Sequence, residues 1–356
     1  MATTTVNSIT LTYPDEPCPV FGPCIFTLSG VLERTEVHIS HLGVLYEATY
    51  QTHNGGTLDL REFLKAFFTS LQMGDDIDYS QACKASELGK DVNITLRALD
   101  SDNTLLAQFN ITLLCVWGAQ MPWEDDYWQP RKIVRFGNYP LTVGVYASNG
   151  GGGNINVVDM DDLANNVSNV VATDGIFNVL VDLVPTGHEI EVDYVWVRMG
   201  HPVTVPLYYI ETVGDCFKDG VYLRWVDRRG MWSHWMFKRG NPTVTAASKF
   251  GMWYRNDYSK YDIDAGWQGA SGRRQSFTRN DVQPLCAPLV DQDTFDMLQD
   301  ITTSPCVDMF LGYDVNDDPM WTAVTVEAGS YTKEATKSEQ DFVFNLILPE
   351  VNIQTL

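Results

Sequence analysis

The fold is decided by the stretch Asp219-Gly220-Val221-Tyr222-Leu223-Arg224-Trp225-Val226-Asp227-Arg228-Arg229-Gly230-Met231-Trp232-Ser233-His234-Trp235-Met236-Phe237. Two apolar runs with period-2 alternation flank a turn at Arg229-Gly230, which is the pattern of a β-hairpin. The alternation places Leu223 and Trp225 on one face of the first strand and Tyr222 and Arg224 on the other. The stretch therefore predicts an antiparallel pair of strands.

Positive charge and tryptophan are concentrated around this hairpin. From Lys218 to Arg279 the chain has twelve Lys or Arg and five Asp, whereas the remaining residues include twelve basic and 41 acidic ones, for a net charge of −22. Half of the ten tryptophans lie in the same window: Trp225, Trp232, Trp235, Trp253 and Trp267. Since Trp, Tyr and Arg are enriched in protein interfaces, this asymmetry predicts an interaction surface here.

The rest of the chain has short alternating runs separated by Gly, Pro and Asp, so we predict a mainly β protein built from tandem β-sandwich or barrel domains. The predicted domains are a β-rich domain with one amphipathic helix (1–118), a β-rich middle domain (119–205) and a Trp-rich β domain with the basic hairpin and a long loop (206–356). The pattern also predicts two or three short helices. One begins near Asp59 and ends at Gly74, and another is capped by Asp291 or Asp293. The third, over Asp159–Val171, has the weakest pattern.

Composition disfavours several classes of function. The net charge of −22 opposes general nucleic-acid binding, because phosphate contacts need a basic face. No apolar run approaches the ~20 residues that span a bilayer, and the N-terminus lacks a secretion signal. We therefore expect no membrane partner, synthesis in the cytosol and reduced cysteines, with a Cys18–Cys24 disulfide disfavoured.

No specific catalytic motif is present, and the sequence predicts a protein that is not an enzyme. The clusters Asp159–Asp162 and Asp314–Asp318 have calcium-like oxygen density but lack the EF-hand glycine and terminal glutamate, so turns are favoured and no metal or cofactor is expected. Acidic residues beside Trp123 and Trp128 resemble a sugar cleft, although a solvated connector is the favoured interpretation.

Three interpretations of the basic, aromatic window remain open. It could stack single-stranded nucleic acid, bind carbohydrate or bind protein. Protein association is favoured, because a basic window on an acidic chain complements a neighbouring copy. The predicted interface residues are Arg224, Arg228, Arg229, Trp232, Trp235, Arg255, Trp267, Arg273 and Arg274.

Two segments resemble virion structural proteins of tailed phages that infect gut Bacteroidetes. The first is the hairpin, with its Arg224-Trp225 strand end, its turn and its Trp235-Met236-Phe237 strand. The second is the C-terminal pair Trp321–Val326 and Asp341–Pro349. The resemblance covers about 205–356 and transfers no catalytic residues.

The resemblance implies a non-enzymatic tail or tail-tip/baseplate component in the virion. Such a protein would associate with copies of itself and with other virion proteins, as a homo-oligomer in a ring or tail layer. The alternative is a glycan-binding module, or less favoured a glycoside hydrolase, that uses Trp123, Trp128 and the Trp253–Trp267 loop.

Overall fold

The structure is a computed structural model that describes residues 1–68, 76–124, 126–137, 139–148, 153–198, 201–214, 217, 219–248, 252–253, 261–262, 266–267, 273–274, 276–334 and 336–348. It is mainly β with several sheets and two short α-helices, so the predicted fold class is confirmed.

The N-terminal region contains two sheets that share one hydrophobic core. Its strands are β1 (Ala2–Val6), β2 (Ile9–Tyr13), β3 (Cys18–Pro19), β4 (Ile25–Ser29), β5 (Arg34–His41), β6 (Val44–Gln51), β7 (Gly55–Asp59), β8 (Cys83–Ala85), β9 (Gly89–Leu99) and β10 (Leu105–Val116). The sheet orders are β1-β2-β4-β7 and β3-β10-β9-β5-β6. Alternate residues of both sheets, such as Phe26 and Leu96, are buried in the shared core, as period-2 patterning requires.

The predicted first helix is present but begins later than expected. Helix α1 covers Arg61–Ala66, with Leu60 at the N-cap position, while Asp59 accepts the N–H of Arg61 at 3.1 Å from just before the helix. Leu64 faces the core, which confirms that the apolar stripe packs inward. The predicted end at Gly74 lies outside the described residues.

The middle region has a second core between two sheets. Its strands are β11 (Arg131–Phe136), β12 (Thr142–Ala147), β13 (Gly153–Asp159), β14 (Val167–Val171), β15 (Gly175–Leu180), β16 (Ile190–Arg198) and β17 (His201–Val213). The sheet orders are β11-β17-β16-β13-β14 and β12-β15-β8. The predicted helix over Asp159–Val171 is wrong. A 3-10 turn at Leu163–Asn165 leads into strand β14, whose valines favour extended backbone.

The C-terminal region is organised around one large sheet. Its elements are β18 (Val221–Val226), β19 (Trp232–Arg239), β20 (Thr243–Ser248), β21 (Met252–Trp253), β22 (Tyr261–Asp262), β23 (Gly266–Trp267), β24 (Arg273–Arg274), β25 (Phe277–Asp291), α2 (Gln292–Gln299), β26 (Val307–Tyr313), β27 (Pro319–Ala323), β28 (Thr325–Val326) and β29 (Glu339–Ile347). The sheet order is β27-β26-β18-β19-β25-β29-β28, with β20 paired to β25. The predicted cap of α2 is confirmed, since Asp291 accepts the N–H of Thr294 at 2.8 Å.

Two strands join the regions across the sequence. Strand β8, from the N-terminal region, extends the three-stranded sheet of the middle region by pairing with β15. Strand β17 crosses residue 205. It pairs with β16 as far as Ile210 and with β11 from Tyr208 to Val213, so residues 206–213 belong to the middle sheet. The hairpin β18–β19 lies where the three regions meet.

Candidate functional site

The predicted hairpin is confirmed, with Val221 paired to Phe237 and Val226 to Trp232. Asp227 and Met231 close the turn through a 2.8 Å backbone hydrogen bond. Gly230 has a φ of +79°, which favours glycine, and a Cβ at this position would lie 3.1 Å from the backbone of Trp117. The turn is therefore fitted to the end of the N-terminal region.

All six residues of β18 are buried, so the hairpin is covered on both faces. On one face, Leu223, Trp225 and Phe237 pack into the core of the C-terminal region. On the other face, Tyr222 donates a hydrogen bond to the carbonyl oxygen of Pro140, in the middle region, at 3.0 Å. The hairpin is thus an internal layer between regions.

Arg224 is the centre of a buried polar and aromatic cluster on that second face. Its guanidinium lies 2.9 Å from Asp308, and it donates to the Tyr79 hydroxyl at 3.2 Å. The same group stacks over the rings of Trp232 and Trp321, at 4.7 and 4.4 Å from their centroids. Asp308 pairs with the positive charge of Arg224, and the two indole rings stack on its planar guanidinium group. The arginine can therefore be accommodated in the interior.

A second buried charge cluster closes the hairpin turn. Asp227 is fully buried, and its Oδ2 lies 3.1 Å from Arg131 and 3.2 Å from Arg229. Its Oδ1 accepts the backbone N–H groups of Arg229 and Met231. One carboxylate therefore stabilises the turn and ties it to strand β11 of the middle region.

Asp76 connects all three regions through side-chain hydrogen bonds. It accepts hydrogen bonds from Ser86 in the N-terminal region at 2.8 Å and from Asn178 in the middle region at 2.9 Å. It also accepts the indole N–H of Trp232 in the hairpin at 2.8 Å. Asp76 is only 2% exposed, so this buried carboxylate connects the three regions in the interior of the molecule.

His234, the histidine of this junction, is poorly placed for acid–base catalysis. Burial and the charge of Arg224 lower the pKa of His234 to about 3, so its ring is neutral at physiological pH. The cavity that His234 helps to line, together with Thr142 and Tyr208, has room for about one water molecule. A substrate of ordinary size cannot reach it.

Five of the nine predicted interface residues lie at this junction, and the structure corrects the prediction for four of them. Arg224, Arg229, Trp232 and Trp235 are between 1% and 9% exposed, so they are not available to another molecule. The reason is that both faces of the hairpin are covered, a fact that period-2 alternation cannot reveal. Arg228 is half exposed, and its guanidinium lies 3.9 Å from Glu124.

The other four predicted residues belong to a separate part of the chain. Trp267, Arg273 and Arg274 lie in the short strands β23 and β24, whereas Arg255 lies outside the described residues. Trp253 pairs with Arg273, and Tyr261 pairs with Trp267, both in antiparallel strands. Most of the predicted long loop, between Phe250 and Arg279, lies outside the described residues.

At the alternative sugar site the aromatic rings are exposed, but the carboxylate of Glu124 is already hydrogen-bonded within the protein. Trp123 and Trp128 are 54% and 51% exposed. Trp128 is held in place, because its indole N–H donates to the carbonyl oxygen of Pro122 and its ring contacts Tyr127. Glu124 accepts the backbone N–H of Met121 within the same turn. Its carboxylate therefore has a structural partner.

The two acidic clusters close turns, as the sequence favours. Asp159, Asp161 and His188 bring possible ligand atoms within 4.8 Å of one another. Burial alone would raise the pKa of Asp159, but hydrogen bonds from Asn165 and His188 hold it below its ordinary value. Asp314 closes its own turn by accepting the N–H of Asp318 at 2.9 Å. In each cluster one carboxylate, that of Asp159 or of Asp314, is therefore occupied by closing its loop.

No local sequence pattern marks Asp76, Tyr79 or Asp308. Asp76 is 156 residues from its partner Trp232 along the chain. Tyr79 and Asp308 are 145 and 84 residues from their shared partner Arg224. Asp227 could have been selected, because an aspartate that opens a tight turn commonly accepts the turn's N–H groups.

Comparison with known proteins gives no family. No family model matches the chain, and no curated protein matches it. Among solved structures the chain is similar to one titled "Structural insight into host cell surface retention of a 1.5-MDa bacterial ice-binding adhesin". The identity is 11%, the match covers 88% of this chain and 95% of that chain, and the TM-score is 0.17. A similarity at that level carries no argument about fold or function. Within the described ranges, no helix combines the length and apolarity needed to cross a membrane.

Proposed function

We propose that the chain is a non-enzymatic structural protein of a phage particle, in the tail or tail-tip/baseplate, that works by forming protein–protein interfaces. The observation that carries the proposal is the junction at β18–β19. There, buried ion pairs and the carboxylate of Asp76 tie three β-rich regions into one body. A component that transmits force between neighbours needs regions that keep their relative positions.

The sequence supports the same proposal through its resemblance over about 205–356 to virion proteins of phages of gut Bacteroidetes. The assembly would use heterologous contacts between a basic part of one subunit and the acidic surface of the next. Partners would be further copies and other virion proteins, and the protein would reside in the virion after synthesis in the host cytoplasm.

The test is the mass of the purified protein in solution, measured by light scattering after size exclusion over a salt series. We expect a closed oligomer, or self-association that weakens as salt screens the contacts. A monomer that stays monomeric at every salt and protein concentration would count against assembly.

A glycan-binding module is the second candidate, favoured by the exposed rings of Trp123 and Trp128, of which Trp128 is held by a hydrogen bond and by ring contacts. A ring fixed by a hydrogen bond and by aromatic contacts loses little freedom when a sugar stacks on it. Saturable polysaccharide binding by the monomer, lost in a W123A/W128A variant whose circular dichroism is unchanged, would establish this function instead.

A further inference from the structure

Two cysteine thiols of the N-terminal region touch each other in the interior. The Sγ atoms of Cys18 and Cys24 lie 3.4 Å apart, and both cysteines are free thiols. Cys18 lies in the short strand β3, and Cys24 directly precedes β4. Both side chains are 0% exposed, within the core that the two N-terminal sheets share. The fold therefore holds two sulfur atoms in contact beneath one short loop.

The loop between the two cysteines lies close to the surface. Phe21 donates its N–H to the carbonyl oxygen of Gly118 at 3.0 Å, and Gly22 donates its N–H to that of Pro19 at 3.0 Å. Phe21 and Pro23 are exposed, whereas the cysteines on either side are buried. Local opening of a short surface segment requires much less free energy than global unfolding. A reagent as small as a peroxide can therefore reach the thiols of the folded protein.

Both thiols are protonated at neutral pH. A hydrogen bond with Cys115, together with burial, raises the pKa of Cys18. A hydrogen bond with Cys18, together with burial, raises the pKa of Cys24. Since the thiolate is the form that attacks an oxidant, a raised pKa makes oxidation slow. We therefore expect the pair to stay reduced in the cytosol, where thiols are kept reduced.

We infer that Cys18 and Cys24 are a disulfide site that a peroxide closes once the protein leaves the reducing cytosol. Hydrogen peroxide transfers a hydroxyl group to the thiolate of one cysteine; the O–O bond breaks, the sulfur becomes a sulfenic acid and the other oxygen leaves as hydroxide. The second thiol then attacks this sulfur, so that the S–S bond forms, the S–O bond breaks and water leaves. In total, two thiols are oxidised to one disulfide, and one peroxide is reduced to two water molecules. The exposure to an oxidant rests on the proposed function, because a released particle leaves the host cytoplasm, whereas the chemistry of the pair does not.

The distance between the two sulfur atoms decides the product of this oxidation. Reacting atoms about 3–3.5 Å apart are already in a near-attack arrangement, and Cys18 and Cys24 meet that condition. The sulfenic acid therefore condenses with the neighbouring thiol before a second peroxide can convert it to a sulfinic acid.

Cys115 is the competing partner for Cys18. The two residues are paired in the parallel register of β3 and β10, which holds both backbones in the sheet. Cys24 lies in the loop that precedes β4, so its sulfur is freer to move the roughly 1.4 Å from contact to the usual S–S bond length. The bond would hold the loop against Gly118. A Cβ at Gly118 would lie 2.8 Å from the backbone of Arg229, so this contact is next to the turn of the central hairpin.

A tryptic digest distinguishes the two possible bonds. Arg34 is the first basic residue of the chain, so the peptide 1–34 contains Cys18 and Cys24 and no other cysteine, whereas Cys115 lies in the peptide 98–131. The folded protein is treated with hydrogen peroxide, unfolded, reacted with a maleimide that blocks free thiols, and digested. We expect peptide 1–34 to carry no maleimide and to be about 2 Da lighter than its dithiol form. Treatment with a reductant before the maleimide should restore two reactive thiols.

C24A and C115A are matched variants, because each removes one of the thiols that contact Cys18. Peroxide should close the bond in C115A and raise its midpoint of unfolding in urea, but it should do neither in C24A. The wild-type digest decides the question even if either variant folds poorly. If peptide 1–34 of treated wild type binds two maleimides, carries sulfinic acid or is linked to peptide 98–131, the inference is wrong. None of these results depends on light scattering, so the inference and the proposed function fail separately.

Discussion

Replacing Asp227 by Ala should destabilise the protein by about 3–5 kcal/mol, the usual cost of removing one partner from a buried ion pair. The carboxylate is fully buried and lies between the guanidinium groups of Arg131 and Arg229. Alanine leaves both cations without this counter-charge in a desolvated site. It also removes the acceptor of two backbone N–H groups, those of Arg229 and Met231.

The expected loss is large because a domain is stabilised by only about 5–15 kcal/mol in total. In urea, with a slope of about 1–3 kcal/mol per molar, the midpoint should fall by at least about 1 M. Unfolding can be followed by tryptophan fluorescence, since Trp225 and Trp232 are buried on either face of the hairpin.

Two further variants test whether the loss of stability comes from the buried ion pairs. One is a control at an exposed aspartate, and the other removes one of the cations left unpaired. D102A, at an exposed turn residue, should change the stability by less than about 0.5 kcal/mol. D227A/R229M should recover part of the loss, because one of the two unpaired cations is gone. If D227A costs less than about 1 kcal/mol, the ion-pair network does not hold the turn, and the reasoning about the junction is refuted.

Three other changes should also have measurable effects. Burial and the charge of Asp227 raise the pKa of Asp300 to about 7, from an ordinary value of 3.8, so wild type should lose stability as pH rises from about 4 to about 7. Between about pH 4 and pH 7 the folded state keeps a proton on Asp300, whereas the unfolded state releases it. D300N should remove this part of the pH dependence in thermal melts. D291A removes the cap of α2 and should cost about 1 kcal/mol in urea unfolding, whereas D291N should cost less. G230A should cost at least about 1 kcal/mol, because of its positive φ and a Cβ only 3.1 Å from the backbone of Trp117; a wild-type melting temperature would contradict that fit.

Local sequence patterns predicted those elements whose structure depends only on neighbouring residues. The hairpin pairing follows from alternation around Arg229-Gly230, and the cap of α2 follows from Asp291. The pattern failed over Asp159–Val171, where spacing of apolar residues suggested a helix but β-branched residues favour a strand.

The site was harder to predict, because burial of charge depends on partners distant in sequence. Arg224 has the appearance of an exposed residue on an alternating strand. Its partner Asp308 is 84 residues away, on a strand whose position in the sheet no local rule fixes. For the same reason, Arg229 and Trp232 were wrongly predicted to lie on a surface.

The position of Asp76 sets a condition on how the chain is made. Trp232 is synthesised 156 residues after the carboxylate that accepts its indole N–H. Until then, a nascent chain cannot complete the contacts around Asp76, although both sheets of the N-terminal region can already form. A polypeptide cut after residue 205 would keep that carboxylate without its tryptophan. We therefore expect the three regions to be expressed best as a single chain, and fragments cut between them to be prone to aggregation.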